Sequence, residues 1–187
     1  MSNLDYEINK ELGECYLFMG ELEKAEEYYK KAASSNGVHP DPYLGLATIA
    51  IQKGNIEDAL ALYRKAESIE PNDKSLGGIG LVMMEQGKHE EALNFFIRAL
   101  EHNPQNMLLL NTSVQEAHYL NRLADILPSL QAALALNPEL HAVRFALAGC
   151  LMHLGREAEA TGHLETILSF EPDHADAKEL YEALKDK

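Results

Sequence analysis

Amphipathic stretches with helical spacing follow one another along the chain, and proline or glycine interrupts them at fixed intervals. Pro71, Pro104, Pro138 and Pro172 stand 33, 34 and 34 residues apart. Each comes just after a stretch ending in Ile69-Glu70, His102-Asn103, Leu136-Asn137 or Phe170-Glu171. Proline cannot continue a helix, so each one marks a stop. A second break falls inside each unit, at Met19-Gly20-Glu21, Lys53-Gly54-Asn55, Gln86-Gly87-Lys88 and Leu154-Gly155-Arg156. Glycine is the residue best able to end a helix in a left-handed conformation. The pattern therefore predicts helix, short turn, helix in unit after unit.

Small residues keep the same period. Ala25, Ala59, Ala92 and Ala160 form one column, and Ala32, Ala66, Ala99 and Ala133 form another seven residues further along their own units. Seven residues make two helical turns, so both columns lie on one face, where a neighbouring helix can approach closely.

These positions resemble the tetratricopeptide repeat family, whose pattern of 34 residues runs from a large residue through Leu-Gly, Tyr, Ala, an aromatic and Ala to a closing Pro. The second unit matches at Tyr43, Leu46, Gly54, Ala59, Tyr63, Ala66 and Pro71. The third matches at Ile79-Gly80, Gly87, Ala92, Phe96, Ala99 and Pro104, and the first at Leu12-Gly13, Tyr16, Gly20, Ala25, Tyr29 and Ala32, with Gly37 where its proline would stand. The fifth keeps Leu147, Gly155, Ala160, Leu164 and Pro172. The fourth departs most, with Val114 for the small residue, Asn121 for the turn glycine and Ile126 for the alanine. If the second helix of that unit starts near Asp125, Pro128 falls in its first turn, where a missing N–H is harmless.

The resemblance implies an all-α fold, a right-handed α-α superhelix of five helix-turn-helix repeats in a single domain. The repeats run at about 6–39, 40–72, 73–106, 107–140 and 141–174, and a C-terminal capping helix covers 175–187. In that cap Leu180, Tyr181 and Leu184 share one side.

Charge narrows the partners. Sixteen basic against thirty acidic side chains leave a net charge of −14, which repels phosphate backbones and anionic membranes. Nucleic acid is excluded as a partner, and no run approaches the roughly 18 apolar residues of a membrane span. The start of the chain lacks a basic stretch leading into an apolar core, so a cytoplasmic protein is expected.

Candidate chemistry is sparse. Leu76 to Gly87 holds four glycines in twelve residues, yet it lacks the strand, the following helix and the Lys-Ser/Thr of a phosphate-binding loop. His89-Glu90-Glu91-Ala92-Leu93 begins like a zinc-protease helix but has no second histidine four residues on. His118 and His153 share the expected groove side, and without a third ligand no metal site is assigned. Cys15 and Cys150 occupy equivalent places in the first and fifth units, where both are expected to be buried free thiols. The expectation is a non-enzymatic protein with no catalytic residues, no metal and no cofactor.

In this family the first helix of each repeat lines a concave groove, and the resemblance places Leu44, Thr48, Gly77, Gly78, Leu81, Met84, Leu108, Asn111, Gln115, His118, Tyr119, Phe145, Met152 and His153 there. Gly77 and Gly78 would leave the groove wall without side chains, so that a partner backbone could approach. The groove would be centred on the third and fourth repeats and would hold a peptide or helix of a partner protein, with apolar anchors beside neutral donors and acceptors. The family's clamp for acidic chaperone tails is not matched, since Lys10 is followed by Glu14 and Lys74 by Gly78.

Two other functions remain open. The fourth unit has four charged residues where its neighbours have eight to fourteen, and depletion of charge marks an interface core. Self-association through that repeat is one alternative. A regulatory segment of a larger enzyme is the other.

Overall fold

A computed structural model describes residues 3–35 and 38–185. Gly37 and the last two positions of the expected cap lie outside the described residues. Among the described residues eleven helices follow in order: α1 (Asn3–Phe18), α2 (Leu22–Ser35), α3 (Asp41–Gln52), α4 (Ile56–Ile69), α5 (Asp73–Glu85), α6 (His89–His102), α7 (Met107–Tyr119), α8 (Leu123–Leu136), α9 (His141–His153), α10 (Glu157–Phe170) and α11 (Ala175–Lys185). The described residues contain no strand, and the fold is all-α. No helix among them is long and apolar enough to cross a membrane.

Each predicted glycine turn takes the conformation that only glycine adopts without strain, with φ of 75° at Gly20, 78° at Gly54, 74° at Gly87 and 72° at Gly155. Asn121 stands in for the missing glycine at φ 55°, since asparagine is among the few other residues that tolerate the left-handed region. The closing hydrogen bonds repeat as well. Asn55 N–H donates to the Ala50 carbonyl at 2.8 Å and Gly54 N–H to that of Ile51 at 2.9 Å. The same pair recurs at Lys88 with Met83 and Gly87 with Met84, and at Arg156 with Leu151 and Gly155 with Met152. This is the Schellman closure, which satisfies the last carbonyls of the first helix while reversing the chain.

Helix starts are less uniform. Asn72 caps α5 reciprocally with Ser75, its side chain accepting from the Ser75 amide at 2.9 Å while the Ser75 hydroxyl accepts from the Asn72 amide at 3.2 Å. Asn106 caps α7 by accepting from the Leu109 amide at 3.2 Å. α8 begins at Leu123, earlier than the Asp125 start on which a harmless Pro128 depends. Pro128 is consequently its sixth residue and lies inside the helix. Its ring is exposed, so the carbonyl of Ala124, which loses its donor, can bond to water.

The helices pack into two compact units, residues 1–99 and 100–187, divided within the last turn of α6. In the first unit α1 to α5 pack each on the next, and in the second α7 to α11 do the same. Both alanine columns are fully buried at every position named, and Ile126 fills the fourth-repeat place of the first column with no exposed surface. Aromatic rings occupy the space that glycines leave. The Tyr29 ring lies between Gly13 of α1 and Gly45 of α3, where added Cβ atoms would meet its Cδ1 at 2.8 Å and its Cε1 at 2.6 Å. Phe96 of α6 presses on Gly80 of α5 in the same way, at 2.5 Å.

Ion pairs sit on the outside. Glu26 of α2 accepts from Lys30 and from Lys53, the latter at 2.6 Å across the first two hairpins, and Arg98 of α6 reaches Glu67 of α4 at 3.0 Å. Such exposed pairs contribute about 0–1 kcal/mol each. The fold rests on its apolar seams.

Candidate functional site

The first helices of the fourth and fifth repeats form the walls of a largely apolar opening in the second unit. Val114, Gln115 and His118 come from α7, spaced at one and three residues so that they share a side of that helix. Phe145, Ala146, Gly149, Cys150 and His153 come from α9, again at intervals of three and four. Leu123 at the start of α8 closes the floor, and the space enclosed is about 510 Å³.

Gly149 makes this opening deep. A Cβ added there would meet nothing within 4 Å, so the wall is bare at that point and faces open space. Phe145 makes a stacked contact with His174, ring centres 5.5 Å apart. His118 and His153 meet edge to face at the rim, their ring centres 5.1 Å apart and planes at 63°. The Cys150 thiol is pushed above its ordinary value by burial and stays protonated at neutral pH.

Of the residues expected from sequence, Gln115, His118, Phe145 and His153 are thus brought together. Met152 is half-buried beside them. Leu108, Asn111 and Tyr119 are exposed and lie outside the opening, Leu108 retaining 65% and Tyr119 70% of their surface. Gly149, Ala146, Val114, Leu123 and Cys150 were missed. A glycine inside a helix with no turn to make was the available signal at 149.

In the first unit Leu44 and Thr48 line a separate, more polar pocket of about 480 Å³ with Glu14, Asp41, Lys74 and the Tyr29 and Tyr63 rings. Burial, followed by the nearby Glu14 and Asp41 carboxylates, raises the Tyr29 phenol to about 12. Leu81 and Met84 are half-buried on α5.

Gly77 and Gly78 are both buried, and the bare wall expected there is absent at Gly78. The Tyr63 ring of α4 fills the place of its side chain, with Cδ1 2.6 Å from where a Cβ would stand. The glycine makes room for an aromatic of its own chain. Cys15 also departs from expectation, for it is exposed while Cys150 is buried. No group of three His, Cys, Asp or Glu side chains among the described residues is arranged to hold a metal ion.

Comparison with known proteins agrees with the repeat pattern. The tetratricopeptide repeat family matches at residues 19–77 and 118–184, and a second model of the same repeat at 74–106. The BBSome complex member BBS4 of Bos taurus is 28% identical over 121 residues, which are 63% of this chain and 23% of that protein. The chain therefore spans less than a quarter of that relative's length. Among solved structures, Pseudomonas aeruginosa pilF superposes with a TM-score of 0.66 at 19% identity, covering 98% of this chain and 92% of its own. YrrB, a repeat protein with an unusual peptide-binding site, does so with a TM-score of 0.61 at 19% identity, covering 94% and 89%.

Proposed function

We propose, from the premise that this chain belongs to the tetratricopeptide repeat family, that it is a non-enzymatic scaffold holding a peptide or helix of a partner protein in the opening between α7 and α9. The supporting observation is the coincidence of that opening with a bare helix wall at Gly149. An apolar anchor of the partner would enter beside Phe145, and the Gln115 amide would serve its backbone. The polar pocket at Leu44 and Thr48 offers a second docking position of different chemistry. Net charge argues against nucleic acid as the partner, and two free thiols suit a reducing, cytoplasmic setting.

The test is a Gly149→Leu variant, which fills the opening without a clash at Cβ. Affinity capture from native lysate should retain a protein with the unaltered chain and lose it with the variant, while circular dichroism shows the same helicity for both. Equal capture by both would move the site elsewhere.

Self-association through the fourth repeat is the second reading, supported by the exposure of Leu108 and Tyr119 in its charge-poor surface. Light scattering at high micromolar concentration should then show a dimer that Leu108→Glu dissociates, and a monomer would remove this reading.

A further inference from the structure

We infer that the outer seam of α1 is a docking surface for an amphipathic helix of another protein, one that carries apolar residues at heptad spacing on both sides of a central lysine or arginine. Leu4, Ile8, Glu11, Cys15 and Phe18 follow one another in steps of four, three, four and three residues. That is the spacing of a coiled-coil seam, whose positions stay in line along one side of a helix. All five are exposed. Leu4 keeps 66%, Ile8 47% and Phe18 94% of its surface, and Met19 extends the seam with 58%. At 1.5 Å per residue the line is about 21 Å long.

The opposite side of α1 is already used. Tyr6 and Gly13 lie half a turn away from the seam and are buried, Gly13 against the Tyr29 ring. α2 and α3 pack on this helix. A helix that is apolar on two opposite sides has one side left to cover. Large apolar side chains exposed singly are ordinary, but a continuous line of them marks an interaction surface.

Glu11 selects the occupant. It stands at the midpoint of the seam, and a helix laid over the seam takes its carboxylate out of water, which is strongly unfavourable unless a cation meets it. The one lysine of α1, Lys10, is engaged by Glu7 at 3.3 Å. A second copy of this chain does not fit. The five positions are symmetric about Glu11, so two such seams in full register set Glu11 against Glu11 whether they run parallel or antiparallel. Glu7 and Glu14 along one border add to that repulsion. A partner helix with a basic residue between its apolar positions turns the same contacts into attractions. The seam uses none of the residues of the opening between α7 and α9, so the inference stands without the docking proposed there.

The experiment is fluorescence anisotropy of two labelled synthetic helices titrated with the intact chain. Both helices carry leucine at the four outer seam positions, and the central position is lysine in one and glutamate in the other. The lysine helix should bind at least about tenfold more tightly than the glutamate helix, and Glu11→Lys should invert that preference. Ile8→Ser combined with Phe18→Ser should weaken binding of the lysine helix by at least about tenfold. Leu136→Ser and Phe170→Ser, at exposed apolar residues elsewhere, should leave it unchanged. Because every altered side chain is exposed, circular dichroism should show the same helicity in all of these chains. Absence of binding, equal affinity for the two helices, or binding undiminished in the Ile8→Ser, Phe18→Ser variant would overturn the docking surface. A dimer of the unaltered chain that dissociates in that variant would make the occupant a second copy and overturn the inference as well.

Discussion

The Tyr63 ring of α4 occupies the side-chain space of Gly78 in α5. Alanine at 78 would gain about 0.5–1 kcal/mol of helix propensity but overpack the half-buried Tyr63 ring, at about 1–3 kcal/mol. Gly78→Ala should therefore lower stability by about 1–2 kcal/mol in guanidinium denaturation. In a Tyr63→Ala background the same change should stabilise. If Gly78→Ala stabilises the unaltered chain, the ring does not hold that space.

The five turns make a second comparison. Gly54→Ala places a Cβ at a φ of 78° and should cost about 1–2 kcal/mol. Asn121→Ala should cost less than that, and Asn121→Gly should raise the melting temperature, because asparagine only partly escapes the same penalty. Thermal unfolding of the three variants should order them in that way.

Pro128 offers a stabilising change. An interior proline costs about 3 kcal/mol relative to alanine, reduced here because its ring and the bereft Ala124 carbonyl face solvent. Pro128→Ala should raise stability by about 1–3 kcal/mol, read from the denaturation midpoint. No gain would mean that α8 is bent to suit the proline.

His163 on α10 gives a pH signature. Burial, then the positive charge of Arg144, holds its folded value below the ordinary 6.5, with Glu159 opposing. The unfolded chain thus binds more protons between the lowered value and 6.5, so this group's contribution is complete above about pH 6.5 and is lost as pH falls. His163→Gln should shrink the drop in melting temperature between about pH 7.5 and about pH 5.5. An undiminished drop would assign the pH dependence to other groups.

Helices, turns and alanine columns were legible because each depends on local chemistry: a proline cannot donate, a glycine can turn left, and an alanine permits close approach. Asn121 was readable as a turn by position alone. What was not legible depended on a partner side chain distant in sequence. Gly78 looked vacant because Tyr63 lies fifteen positions earlier, on another helix. Pro128 was misplaced because α8 starts at Leu123, two residues before the expected Asp125. Of the expected groove residues, Gln115, His118, Phe145 and His153 line the opening between α7 and α9. Gly149 was overlooked because what distinguishes it is an empty neighbourhood, which no periodicity records.

Tyr29, wedged between Gly13 and Gly45, makes the repeats of the first unit non-interchangeable. The hairpins ending in Tyr29 and Tyr63 are each followed by one that offers a glycine, Gly45 and Gly78, whereas the places corresponding to these carry Thr112 and Ala146 further on. Permuting the hairpins would set rings against methyl groups at one junction and leave a hollow at another. The order of the modules is therefore written into their complementary surfaces, and a shuffled chain with identical composition would not assemble the same stack.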